Sequence, residues 1–132
     1  MGLVDERGEI AAMYKGIAQN DVGMRTDVLA NVTKSIGMKM LIRSMAPKVI
    51  VADEIGSKED TEAIHEAVCS GIKGIFTAHG GSMEDLSINP SLNELINSHV
   101  IERIVFLGNK KLKFEIDKAY ILNKMNSEYM SY

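Results

Sequence analysis

The sequence predicts an α/β fold: a mainly parallel sheet flanked by helices, with a carboxy-terminal β-hairpin. Three observations carry this expectation. Short apolar runs near residues 2–4, 49–52 and 75–78 have the length of strands rather than helices. Helical spacing over 33–45 and 58–70 separates them. Residues 101–107 and 111–117 alternate apolar and polar side chains about Gly108-Asn109, the pattern of a hairpin. Strands alternating with helices pair in parallel through right-handed crossovers.

Taken in order, Gly2-Leu3-Val4 runs straight into Asp5-Glu6-Arg7. Natural domains seldom open inside a buried strand, so the expectation is one domain over 1–132 that is the carboxy-terminal fragment of a longer protein. Residues 8–32 are polar and punctuated by Gly16, Asn20-Asp21 and Gly23, which reads as an extended loop with at most a short helix at 9–15. Loops this long in compact domains are functional or disordered. Over 33–45, Ile36, Met40, Leu41 and Met45 fall near one face, Thr33 or Ser35 serves as N-cap, and Pro47 stops the helix. Val49-Ile50-Val51-Ala52 is continuously apolar, as expected of a strand covered on both faces. Ser57 caps a helix over 58–70 with Ile64, Ala67 and Val68 inward and Gly71 as its stop. Ile75-Phe76-Thr77-Ala78 reads as another buried strand, ending at His79-Gly80-Gly81. A helical turn at 82–86 and a helix at 91–98 behind Pro90 precede the hairpin.

Composition narrows the function classes. With 132 residues, 45% hydrophobic and 25% charged, the chain supports one soluble globular core. A net charge of −3 argues against a general nucleic-acid binder, because phosphate neutralisation needs a basic surface. The local basic excess at Lys110, Lys111 and Lys113 reads as a solvated strand edge. Cys69 is the sole cysteine, so no intrachain disulfide forms, which fits a reducing cytoplasm; its apolar helix pattern predicts a buried position. No apolar run approaches the ~18 residues of a membrane span.

Three apolar strands end in ionisable groups: Asp5-Glu6-Arg7, Asp53-Glu54 and His79. In open parallel sheets ligands bind beyond the carboxyl ends of the strands, so all three should converge on one edge. Four apolar residues followed by Asp53-Glu54 is the Walker B arrangement of P-loop NTPases, in which the first acid holds Mg²⁺ and the next polarises the attacking water. Strand-end acids also occur simply as helix caps. A neutral His79 could hydrogen-bond a γ-phosphate, or merely cap and pack. Asp5, Glu6 and Arg7 form either a local ion pair of little consequence or a second acidic element. Arg25, in the long loop, could reach a phosphate across a subunit boundary, with Arg43 and Arg103 as rivals.

Absent motifs matter equally. The sequence contains no Gly-x-x-x-x-Gly-Lys-Ser/Thr, the loop whose backbone N–H groups cradle phosphates. Nor does it contain a zinc-type Cys/His cluster or a Gly-x-Ser-x-Gly elbow. Three readings remain: an ATPase part, an assembly module that makes ring contacts without nucleotide, and a hydrolase using Asp53, Glu54 and His79 as direct metal ligands.

The blocks Val4-Asp5-Glu6-Arg7-Gly8-Glu9-Ile10-Ala11, Gln19 to Leu29, Met40 to Pro47, Val49 to Gly56 and Thr77-Ala78-His79-Gly80 with Glu84-Asp85-Leu86 resemble, in that order, the stage III sporulation protein AA family. The resemblance covers about residues 3–107. That family is similar to the traffic ATPases of type II and type IV secretion. The resemblance implies a partial RecA-like P-loop NTPase core, ATP and Mg²⁺ as cofactors, and a ring oligomer, by that likeness a hexamer. It implies a cytoplasmic protein at the inner face of the mother-cell membrane, powering a mother cell–forespore channel with other stage III proteins. By the same match Asp53 and Glu54 are the Walker B acids, His79 belongs to the histidine box and Glu6 to an acidic box. The missing phosphate loop implies that this chain alone does not turn over ATP.

Overall fold

In a computed structural model of the chain, residues 1–110 and 113–132 are described. The chain divides into two compact units, Met1–Ala78 and His79–Tyr132.

The first unit holds a four-stranded sheet of order β4-β1-β5-β6, all parallel. Its strands are β1 (Gly2–Asp5), β4 (Asp27–Ala30), β5 (Val49–Ala52) and β6 (Lys73–Phe76). Between β1 and β4 lies the small hairpin of β2 (Met13–Tyr14) and β3 (Ile17–Ala18). Helix α1 (Lys34–Met45) joins β4 to β5, and α2 (Lys58–Cys69) joins β5 to β6. Both helical crossovers step across the sheet in the same direction, so right-handedness puts both helices on one face. The β1-to-β4 connection steps the other way and must lie on the opposite face. Side-chain parity agrees. On the helix side, a Cβ at Gly37 would stand 2.6 Å from Val4 and one at Gly2 would stand 2.8 Å from Leu41. On the other side, Leu3 and Asp5 are buried, and Asp5 is bonded to Glu9 and Ala11 of the 6–26 connection.

Several expectations change here. No helix forms at 9–15; Lys15 (φ 48°) and Gly16 (φ 80°) instead make the two-residue, left-handed turn that joins β2 to β3. Val28-Leu29-Ala30, within the expected loop, becomes edge strand β4. In α1, Ile36, Met40 and Met45 are exposed, and the helix packs instead through Ser35, Gly37, Met38 and Leu41. The small residues Gly37 and Ser35 let its backbone approach the sheet, and that contact, not maximal hydrophobicity, selects the inward face. β5 is covered fully on one face only: Ile50 and Ala52 are buried while Val49 and Val51 are half-buried. β6 starts two residues earlier than expected and is an exposed edge, with Ile75 60% accessible.

Helix ends follow the local chemistry. Ser57 and Asp60 form a reciprocal capping box on α2. At its other end Gly71 (φ 76°) and Ile72 donate to the Val68 and Ala67 carbonyls, a Schellman closure. Val68 and Cys69 both face outward, so the expected burial of the cysteine does not occur. α1 ends at Met45 with left-handed Ala46 before Pro47, as the proline required.

The second unit contains α3 (Met83–Ile88), α4 (Pro90–Asn97) and an antiparallel sheet β7 (Arg103–Lys110), β8 (Lys113–Asn123) and β9 (Glu128–Ser131). Leu86, Leu92, Leu95, Phe106 and Leu122 supply its buried apolar residues. The expected hairpin is present and extended by a third strand. Gly108 and Asn109 are paired within it, opposite Glu115 and Phe114, rather than turning. Lys110 pairs with Lys113, and Lys111 lies outside the described residues.

Candidate functional site

The site forms where β1 and β5 end side by side. Their parallel register sets Val4 opposite Ala52, which carries Asp5-Glu6-Arg7 and Asp53-Glu54 off the same edge of the sheet. The convergence of these two groups, expected from strand ends alone, is thus present. His79 begins the second unit.

The three residues after β1 take three different tasks. The Asp5 carboxylate is fully buried and accepts the backbone N–H groups of Glu9 (2.9 Å), Ile10 (3.3 Å) and Ala11 (2.9 Å). It folds the following loop back over the strand end. Glu6 turns to α1: its Oε2 accepts from Lys34 Nζ at 2.9 Å and from the Lys34 backbone N–H at 3.4 Å. Thr33, at the N-cap position, makes no side-chain cap bond, so Glu6 supplies the carboxylate that the helix start favours. Burial pulls the Lys34 ammonium down, but its hydrogen bond and Coulomb attraction to Glu6 outweigh this and raise it. Arg7 reaches across to β5, its Nη2 donating to Glu54 Oε2 at 2.7 Å, with Glu9 at 3.4 Å. The hydrogen bond to Glu54, then the charges of Glu54 and Glu9, raise the guanidinium above its ordinary value. Of the two readings of residues 5–7, the self-contained ion pair does not form: Asp5 binds the loop that follows it, Glu6 binds α1, and Arg7 binds Glu54 and Glu9.

Asp53 is half-buried and makes no direct hydrogen bond or ion pair among the described residues, with Arg7 and Lys34 within electrostatic range. Glu54 is exposed and has a left-handed backbone, φ 47°. Its N–H donates to Thr77 Oγ1 at 3.0 Å, and the Ile55 N–H donates to the Thr77 carbonyl at 2.8 Å. Arg7 was expected at this edge with Asp5 and Glu6, but its bond to Glu54 and the part played by Thr77 were not; no local pattern links positions 7, 54 and 77, which only the sheet brings together.

The candidate arginines sit elsewhere. Arg25 is exposed on a turn braced by Asp21, which accepts the Gly23 N–H, and by the Thr26 hydroxyl bonding to the Val22 carbonyl. Arg43 projects from α1, 3.9 Å from Glu66 of α2. Arg103 opens β7 in the second unit.

Among the described residues no three His, Cys, Asp or Glu side chains group as a direct metal site. A single carboxylate such as Asp53 suits Mg²⁺, which keeps several waters and takes other ligands from phosphate oxygens. It does not suit the hydrolase reading, which needs a set of direct protein ligands. No described helix is long and apolar enough to cross a membrane.

Comparison with known proteins gives this arrangement its relatives. Residues 1–125 match the family described as sporulation stage III, protein AA. The stage III sporulation protein AA of Bacillus subtilis (strain 168) is 43% identical over 119 residues, 90% of this chain and 39% of that protein. An uncharacterized protein, ycf45 of Porphyra purpurea, is 31% identical over 83 residues, 63% of this chain and 14% of the relative. In fold, the chain is similar to the X-ray structure of the Legionella pneumophila ATPase DotB, with a TM-score of 0.61 at 11% identity. That match covers 94% of this chain and 46% of the other. The chain thus spans about two-fifths of its Bacillus relative, and its fold is α/β, similar to part of the DotB ATPase. With the family match running through both strand-end acidic groups and on to residue 125, the chain belongs to the sporulation stage III, protein AA family.

Proposed function

We propose that this chain is the carboxylate-bearing part of an ATPase that powers a mother cell–forespore channel complex. The observation that carries the reading is the pair of acidic strand ends on adjacent parallel strands, with Asp53 half-buried and Glu54 beside it. In this reading Asp53 would hold Mg²⁺ through water, and Mg²⁺ would neutralise charge on the phosphates of ATP. Glu54 orients the attacking water. His79 senses the bound nucleotide, Glu6 holds the acidic loop against α1, and Arg25 or Arg43 contacts phosphate from a neighbouring copy. The protein works as a ring, with other stage III channel proteins, on the cytoplasmic side of the mother-cell membrane. The triphosphate loop is supplied outside these 132 residues, so the chain alone is inactive.

Calorimetry with an ATP analogue and Mg²⁺ tests the reading on this chain and on a version extended to the length of its Bacillus relative. Binding by the extended version alone supports it. Binding by neither favours the assembly module, for which the missing phosphate loop is the supporting observation. In the extended version Glu54→Gln lowers turnover about 10²–10⁴-fold while analogue affinity stays unchanged. Normal hydrolysis by that variant rules Glu54 out.

A further inference from the structure

Glu54 is held at both ends. A left-handed φ of 47° places the Cβ of an L-residue against its own carbonyl, so this conformation persists only where the surroundings impose it. Thr77 imposes it. Its N–H donates to the Ala52 carbonyl at 3.3 Å, its Oγ1 accepts the Glu54 N–H at 3.0 Å, and its carbonyl accepts the Ile55 N–H at 2.8 Å. One residue following β6 thereby engages three of the four residues from 52 to 55. At the other end, Arg7 from the β1 loop bonds the Glu54 carboxylate at 2.7 Å.

Both restraints are solvent-accessible, Arg7 and Glu54 side chains being 54% and 42% exposed. An exposed ion pair and an exposed hydrogen bond to a side chain contribute little to global stability. Their consequence is directional: together they fix where the Glu54 carboxylate points from the sheet edge. Backbone held in a sparsely populated conformation by restraints that add little stability suits a group that must be aimed.

We propose that Thr77 and Arg7 are positioning residues that clamp Glu54, Thr77 through its backbone and Arg7 through its carboxylate. The clamp rests on the reading of Glu54 as the water-orienting group. It predicts that Thr77→Val, which keeps the shape of the side chain but loses the accepting oxygen, frees the Glu54 amide. Thr77→Ser, which keeps the oxygen, does not.

Two measurements test it. In the 132-residue chain, amide hydrogen exchange read by NMR should quicken at Glu54 roughly tenfold in Thr77→Val, return in Thr77→Ser, and stay unchanged at the core amides of β1 and β5. In the extended protein, Thr77→Val and Arg7→Gln should each lower kcat about tenfold or more with KM unchanged, and Thr77→Ser and Arg7→Lys should recover most of it. Unaltered Glu54 exchange in Thr77→Val overturns the clamp. So does a loss that appears in KM rather than kcat, or a Thr77→Ser variant as impaired as Thr77→Val. If the extended wild type hydrolyses no ATP, the ATPase reading fails, and the exchange measurement still decides whether Thr77 holds Glu54.

Discussion

Carboxylates of one chemical type divide into distinct roles here according to what surrounds them. Asp5 and Asp60 are buried and spend their oxygens on backbone N–H groups, three for Asp5 and those of Gly56 and Ser57 for Asp60. Glu54 is exposed and held by an arginine from another strand end. Asp5→Asn would turn an amide N–H toward backbone donors, leaving at least one buried donor unsatisfied. Unfolding in denaturant should show a loss of about 1–3 kcal/mol. Lys34 gives a second expectation. Its ammonium is raised above the ordinary 10.5 by Glu6 despite the opposing effect of burial. A cation whose folded-state value is raised stabilises fully below its unfolded value, and that contribution disappears as pH rises through the folded value. Melting temperature followed above pH 10.5 should therefore fall less steeply in Lys34→Met than in the wild type. At this scale the sequence marked the strand-end acids by residue type. It did not reveal that Asp5 would be consumed by its own loop or that Arg7 would leave its neighbours for Glu54.

Elements were legible where their signal is local. Ser57, Gly71, Pro47 and Pro90 all punctuate helices through chemistry within a few residues of each end. Elements whose existence depends on a distant partner were not. β4 is four residues long and half-buried, and it is a strand because β1 lies beside it. The inward face of α1 depends on a distant partner in the same way: Ile36 and Met40 are the more apolar residues, yet Gly37 is the one that fits against Val4. Gly37→Ala tests this. Alanine is the better helix former by about 1 kcal/mol, but its Cβ would stand 2.6 Å from a Val4 methyl with no exposed space to move into. Overpacking costs about 1–3 kcal/mol, so the variant should be destabilised on balance, and Val4→Ala should recover part of the loss.

For the whole molecule, exposed apolar side chains predict association. Ile36, Met40 and Met45 on α1 and Ile75 on edge strand β6 are accessible in the first unit; Val105, Leu107, Ile116 and Met130 are accessible in the second. Open strand edges and apolar patches promote self-pairing. Size-exclusion chromatography of the isolated chain should give dimers or larger species, and a clean monomer at high concentration counts against this. By itself the sequence determined the α/β class, the helices after residue 33, the hairpin, the family resemblance and which acids stand at strand ends. Each of these is written in residue type and short-range spacing, where sterics and hydrogen bonding act within a few residues. Only the tertiary structure decided that β4 and β6 flank β1 and β5, that Glu6 closes α1, and that Arg7 and Thr77 meet at Glu54. Those contacts join positions 23–47 residues apart, and their geometry is set by sheet register and crossover handedness rather than by any local pattern.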